Sequence, residues 1–542
     1  MMSRTLTRPM GLLLMLWPAA AFAEVTPFPP YPGAMDSDSY KVTVDGQPVF
    51  VHKFFTFNQF NWMDYARFSM TRKVKVEVTL LVSERRIHTA EIRPIAYGIK
   101  PEINGNRITF ELDRPHYLVL FLNEYPSFYS TGLMLFAEPT QKNPPRLGDA
   151  NVVNIQDYQV DGTGKAVETE KINKAIRDVS ARDGGGVLFF PAGIYTTGTV
   201  MMKSNVRLYV DLGAVIRGSR KDADYTSASP QTGPRQSKAF FIFDHVDNAA
   251  LLGPGTIDMQ GYPWLWHDFQ PDTSEGNARE ETGKVRDPRN GIRGYLINNS
   301  RNVSFEDLLL LRSAYWTINV FGSENFTTRN IKVVNRKQQY HDDAYDFRSS
   351  RHIRIEDGFA MTMDDTWAFY GGGGGIGGTT AGVEDIVVKG FVNYTYTAGI
   401  AIGYGSAPAV KGLHFEDVHF VANHNKCAVW IQLTPAYFSG RGYASGTRFS
   451  RGANLDDFRF SNCTFENDGG HIYIDGGEQS LTNFVFENCT FYAKPTRPSM
   501  LMGKSVSPVV FKNARFNDSV IGNQEELARV NFDIQVPVKV ER

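Results

Sequence analysis

Cysteine is nearly absent. The 542 residues hold three, Cys427, Cys463 and Cys489, which excludes a disulfide-stapled scaffold and offers no zinc-ligand spacing. Net charge is almost nil, with 57 Lys and Arg against 58 Asp and Glu. No field of one sign is available to grip nucleic acid or an anionic membrane. No stretch is long and apolar enough to be a permanent membrane anchor. The one short run, Gly11 to Trp17, follows Arg4 and Arg8 and precedes Ala21-Phe22-Ala23. That is the layout of a secretory signal over residues 1–23, with the mature chain starting at Glu24. The expected location is therefore outside the cytoplasm, in the periplasm or the medium of a Gram-negative cell. What the chain does have is glycine (49 residues) and aromatics (13%), a mixture that suits strands, turns and surfaces that stack on sugar rings.

Residues 24–145 read as a separate β-sandwich. Tyr40–Val44, Val74–Leu80 and Tyr117–Leu122 are short, β-branched or apolar runs, bounded by Asp45-Gly46, Asn104-Gly105 and Pro115. Pro139, Pro144 and Pro145 mark a linker. From residue 149 to 542 the pattern changes. Ile172, Ala175, Ile176 and Val179 have helical spacing, ended by Asp183-Gly184-Gly185-Gly186. A lone amphipathic helix ahead of many short strands suits a cap over the open end of a solenoid.

The strands after it recur. Asn302-Val-Ser-Phe-Glu-Asp-Leu, Asn325-Phe-Thr-Thr-Arg-Asn-Ile and His352-Ile-Arg-Ile-Glu-Asp-Gly begin 23 and 27 residues apart, and related segments start at Leu413, Phe458, Phe484 and Val509. Each is apolar–x–apolar followed by a polar pair ending in Asn or Asp, which suits a tight turn. This period predicts an all-β architecture, a right-handed parallel β-helix behind the sandwich. Cys463 and Cys489 lie 26 residues apart in matching Asn-Cys-Thr-Phe contexts. Stacking on successive coils explains the spacing, and a disulfide stays open in an oxidising compartment.

The stretch Gln339–Tyr370 concentrates the chemistry. Asp343 and Asp364 are 21 residues apart, about one coil, so Asp343 is expected over or beside the Asp364–Asp365 pair. Carboxyls crowded on one strip cannot all ionise easily. A protonated acid beside a carboxylate is what glycosidic bond hydrolysis requires. Tyr340, Trp367, Tyr370, Tyr404 and Trp430 are candidate sugar platforms, with core packing as the alternative for about half of them. Asp346 is placed to orient a neighbour or bind sugar, and Arg348 to neutralise local charge. Gly371 to Gly378 reads as a flap beside the site, since no helix with Lys and Ser/Thr follows to make a phosphate cradle. No metal site and no cofactor are expected.

Asp183-Gly-Gly-Gly-Val-Leu-Phe-Phe-Pro-Ala-Gly-Ile-Tyr195, Gly253-Pro-Gly-Thr-Ile-Asp258 with Trp264 and Trp266, and the spacing from Asp343 to Ala368 resemble polygalacturonase-type enzymes, glycoside hydrolase family 28. A sandwich ahead of a β-helix is also similar to the related dextranase and isopullulanase group, family 49. The resemblance covers roughly residues 149–406 and implies an inverting hydrolase. It implies Asp364 as general acid, and Asp343 with Asp365 as the pair that activates water. The chain departs from the pattern in three places. His341-Asp342-Asp343 stands where the family has Asn-Thr-Asp. Ala398 stands where the family has the His of Gly-His-Gly. Trp430-Ile431-Gln432 stands where the family has Arg-Ile-Lys, which grips a uronate carboxylate. Trp430 and Gln432 suit an uncharged ring, so a neutral glycan such as an α-glucan is expected in preference to galacturonan. His341 is placed either to replace the lost histidine in space or to be a plain turn residue. A pectin hydrolase, a β-helix polysaccharide lyase and a non-catalytic glycan-binding protein remain as alternatives. The lyase needs a basic proton abstractor, and the binding protein does not need three stacked carboxyls.

Overall fold

The computed structural model describes residues 24–58, 61–81, 86–124, 126, 128, 130–228, 238–261, 291–335, 341–370, 381–403, 409–422, 427–433, 454–466, 469–477, 479–492, 495–503 and 505–542. Two sheets built from strands between Val25 and Pro139 form the sandwich. Ala66, Phe68, Leu118, Leu120, Leu133 and Leu135 from one sheet meet Val42, Val76, Val78, Ile108 and Phe110 from the other. Strand His116–Leu122 is buried along its whole length. Leu118 and Leu120 enter the sandwich core, while Tyr117, Val119 and Phe121 face the solenoid, joining Leu309, Leu311, Val334, Phe359, Met361, Met363, Val392 and Tyr394. A strand covered on both faces reads as a continuous apolar run, which is the Tyr117–Leu122 pattern.

The second part is a parallel β-helix. Helix Thr169–Ser180 buries Ile172, Ala175, Ile176 and Val179 at its start. After it, strands pair in parallel, coil on coil, to Val538–Glu541, apart from a short antiparallel pair of Arg515–Phe516 with Ser519–Val520. Each central coil has three walls. The first carries Arg301–Glu306, Glu324–Arg329 and the start of Arg351–Thr362; the second carries Leu309–Leu311, Lys332–Val334 and the end of Arg351–Thr362. The third carries Ile318–Phe321, Tyr345–Arg348, Trp367–Tyr370, Ile400–Ile402 and Val429–Gln432. The sandwich covers the second wall.

The Asn or Asp closing each repeat is the corner between the first two walls. Asp307, Asn330, Asp357, Asp417, Asn462, Asn488 and Asn513 all have positive φ, between 46° and 67°. Asn and Asp are the non-glycine residues that best tolerate this left-handed region. The side chains of Asp307 and Asn330, and of Asn462, Asn488 and Asn513, bond one another along the axis. Asn330 Nδ2 donates to Asp307 Oδ1 at 2.9 Å, and Asn513 Nδ2 to Asn488 Oδ1 at 2.8 Å. The first wall is exposed and carries charges that alternate along the axis. Asp247, Arg301, Glu324, Arg351, Glu384, Lys411 and Asp456 stand in register, with contacts of 2.9 Å (Asp247–Arg301), 2.7 Å (Glu324–Arg351) and 3.1 Å (Glu384–Lys411). Five residues further on, Glu306, Arg329, Glu356, Lys389 and Glu416 form a second ladder. In each of these five coils it has the sign opposite to the first.

Inside, like residues stack on successive coils. Phe458 lies on Phe484 at 4.5 Å and Phe460 on Phe486 at 4.6 Å. Cys463 and Cys489 stack in the same way, buried and as free thiols.

Candidate active site

The acidic residues lie at the corner between the second and third walls. Tyr345 pairs with Trp367, so two residues earlier Asp343 aligns with Asp365, and Asp342 with Asp364. The coil here is 22 residues, one more than the Asp343-to-Asp364 step. The corner is cross-braced. Asp342 Oδ1 accepts the N–H groups of Met363 (3.0 Å) and Asp364 (2.8 Å). Asn335 Nδ2 donates to Asp342 O at 2.7 Å and to Thr317 Oγ1 at 2.8 Å. The Asp364 carbonyl accepts from the Thr362 and Thr395 hydroxyls. Below it, Met363 is anchored in the core shared with the sandwich.

The carboxyls differ in surroundings. Asp364 is the most open of them, its side chain 15% exposed. Its Oδ1 accepts from Asp365 N and Thr397 Oγ1, both at 3.1 Å, and its Oδ2 from His341 N at 2.9 Å. Asp365 is buried, with Oδ1 accepting from Ala398 N at 3.0 Å. Asp343 and Asp346 are buried too. Asp343 Oδ1 and both Asp346 oxygens have no hydrogen-bond partner among the described residues. Burial, reinforced by the neighbouring carboxylates, holds Asp343 well above the usual carboxyl range. Asp346 is also raised, again chiefly by burial, with Arg293 and Arg348 opposing the rise. The crowding read from sequence is therefore present, and its raised members are Asp343 and Asp346.

The third wall's outward residues form the rest of the site. Asp346 and Arg348 project from strand Tyr345–Arg348, with the Arg348 guanidinium 5.1 Å from the Phe321 ring centre. Arg293, buried at the same level one coil beyond Trp316, donates from Nε to Asn319 Oδ1 at 2.9 Å and lies 5.0 Å over the Trp316 ring. On the other side of the acids, Trp430 (5% exposed) packs with Ala398, Ala401 and Tyr473. Gln432, 8% exposed, lies two residues further along the same face. His341 is half exposed, its Nδ1 4.0 Å from Asp364 Oδ2 and its ring 5.5 Å from that of Tyr315.

Trp367 is a correction. It is fully buried and packs edge-on against Phe391, Phe415 and Phe420 inside the coil. Its strand alternates, and Trp367 and Phe369 share the inward face, so Trp367 is a core residue and not a sugar platform. Tyr340, Tyr404, Trp264, Trp266, the Gly371–Gly378 stretch, residues 1–23 and the Tyr370 side chain lie outside the described residues. Asp342, Asn335, Thr397, Arg293 and Tyr315 were not singled out from sequence. Asp342 alone carried a readable signal, since it precedes Asp364 by the same 22 residues that separate Asp343 from Asp365.

The sequence profile of "Glycosyl hydrolases family 28" matches residues 188–493. A "Probable polygalacturonase" of Vitis vinifera is 23% identical over 342 residues, 59% of this chain and 64% of its own length. An "Endo-polygalacturonase" of Pectobacterium carotovorum subsp. carotovorum is 22% identical over 283 residues, 46% of this chain and 68% of its own. Among solved structures, Dex49A from Penicillium minioluteum is similar in fold, with a TM-score of 0.59 over 95% of this chain and 96% of that one, at 13% identity.

Proposed function

The chain belongs to glycosyl hydrolases family 28, and on that premise we propose that it is an exported, inverting hydrolase of a polysaccharide or oligosaccharide. The observation that carries this reading is the meeting of Asp343, Asp364 and Asp365 at one braced corner. In the proposed reaction Asp364 gives its proton to the glycosidic oxygen as the bond from that oxygen to the anomeric carbon breaks. Water, held by Asp343 and Asp365, bonds to the anomeric carbon from the opposite face and leaves its proton on that carboxylate pair. Atoms and charge balance, with Asp364 left ionised and the pair left protonated.

The proposed substrate is a neutral glycan, an α-glucan such as dextran, in preference to galacturonan. The support is Trp430 and Gln432 on the outward face of strand Val429–Gln432, a strand that itself carries no cation for a carboxylated sugar. Galacturonan is the second reading. The names of the curated relatives favour it, as do Arg293 and Arg348 on the opposite flank of the acids.

Reducing-sugar release from dextran, pullulan, polygalacturonate, rhamnogalacturonan and arabinan tests both readings. Release from dextran or pullulan is expected, with Asp364→Asn lowering the rate by about 10²–10⁴-fold. Release from polygalacturonate alone removes the neutral-glycan reading. Undiminished activity in Asp364→Asn removes the assignment of the acid.

A further inference from the structure

An inverting site ends each turnover with its protons on the wrong carboxyls, and Asp364 must be reloaded before the next bond can break. This inference rests on the reading of Asp364 as the acid. We propose that His341 returns the proton to Asp364 between turnovers, acting through Asp364 and not on the sugar.

The geometry supports the relay in four ways. His341 Nδ1 lies 4.0 Å from Asp364 Oδ2, and no other imidazole among the described residues forms a contact with the acidic corner. That gap closes with one side-chain adjustment or one bridging water. The His341 ring is half exposed, so its far nitrogen exchanges protons with solvent, whereas Asp343, Asp346 and Asp365 each expose 2% of their surface or less. Its backbone is fixed independently of the ring, with φ at +64° and its N–H bonded to Asp364 Oδ2 at 2.9 Å. Tyr315, from the preceding coil, stands against the other side of the ring.

Histidine is also the side chain that gains and loses protons between about pH 5 and 8. Among the described residues, the titratable groups around this one are Asp364, the Tyr315 phenol and the chain neighbours Asp342 and Asp343. In the step, the protonated imidazole passes its Nδ1 proton to Asp364 Oδ2. The ring is then recharged from water, and the water-activating pair releases its proton to solvent.

His341→Asn keeps the backbone N–H, tolerates positive φ and cannot carry the proton. Two measurements on the full mature chain test the proposal. In the first, histidine-selective ¹H–¹⁵N spectra follow the His341 resonance with pH, identified by its loss in His341→Asn. That resonance is expected to move in Asp364→Asn, because the group facing His341 Nδ1 at 4.0 Å is changed. An unmoved resonance overturns the coupling, whatever the substrate. The second uses dextran and polygalacturonate as probes. His341→Asn is expected to lower steady-state turnover by about tenfold or more while the first turnover of pre-equilibrated enzyme keeps its rate. Added imidazole is expected to restore the loss. Unchanged turnover, or an equal loss in the first turnover without imidazole rescue, overturns the relay. Asp364→Asn that retains its first turnover strikes the parent reading instead, so the two failures are distinct.

Discussion

Asp343 holds the clearest conflict between stability and chemistry. Its carboxyl is buried among other acids and one of its oxygens has no hydrogen-bond partner among the described residues. Its folded-state pKa is raised, so the folded chain keeps a proton that the unfolded chain releases near pH 4. Stability is therefore lost as pH rises from about 4 through the folded-state value. Asp343→Asn removes that penalty along with the proposed role. Its melting temperature should exceed the wild type's at pH 8, with the difference shrinking towards pH 4.5, while hydrolysis is lost. A melting series over that pH range checks both the sign and the direction. Much of this residue-scale picture was legible, because acids at one-coil spacing have few other reasons to meet. Trp367 was misplaced because in a four-residue strand the inward and outward faces differ by a single position. The alternation with Phe369 was the available clue. Tyr315 and Arg293 lie one and two coils upstream, beyond any local pattern.

At the scale of the strand, the corner and the ladder divide the work of fixing register. The left-handed corner turns the chain between the first two walls, and stacked Asn and Asp side chains tie Asp307 to Asn330 and Asn462 through Asn488 to Asn513. The exposed ladders add sign to that register. Glu324→Lys would put a cation between Arg301 and Arg351, with like charges directly opposed on both sides. The pairs are a third to two thirds exposed, so solvent screens the effect. A loss on the order of 1 kcal/mol is expected, most of it recovered at 1 M salt, where the screening length falls to about 3 Å. Denaturant midpoints at low and high salt measure it, and a salt-independent loss would trace it to packing instead. The repeat and its Asn/Asp ending were readable from sequence. The alternation of charge was not, since it emerges only once the strands are aligned across coils of unequal length.

On the scale of the whole molecule, the sandwich is a wall of the catalytic body. A buried triad crosses the joint. Glu138 accepts from Arg67 Nε and Lys332 Nζ, both at 2.6 Å, and all three side chains are buried. Although burial opposes it, Arg67 and Lys332 hold Glu138 below the ordinary carboxylate value. Burial pushes Lys332 down to about 8, partly offset by Glu138, because it shares that one carboxylate with Arg67. Glu138→Gln leaves two buried cations unmatched and should cost about 3–5 kcal/mol. Both parts should still unfold in one transition, followed together by calorimetry and by a probe placed in the sandwich; two separated transitions would show that the joint is weaker than its chemistry implies. Sequence reading separated the sandwich from the solenoid by composition. It could not find the triad, whose members stand far apart in the chain and look like ordinary surface charges. The ladders bear on how such a molecule changes length over generations. In each of the five coils that carry both ladders, the two columns have opposite signs, and both signs reverse in the next coil. Losing or duplicating one of the three inner coils brings like charges together in both columns, whereas losing or duplicating two neighbouring coils preserves the alternation. Inherited growth and shortening of this solenoid should therefore be easiest in steps of two coils.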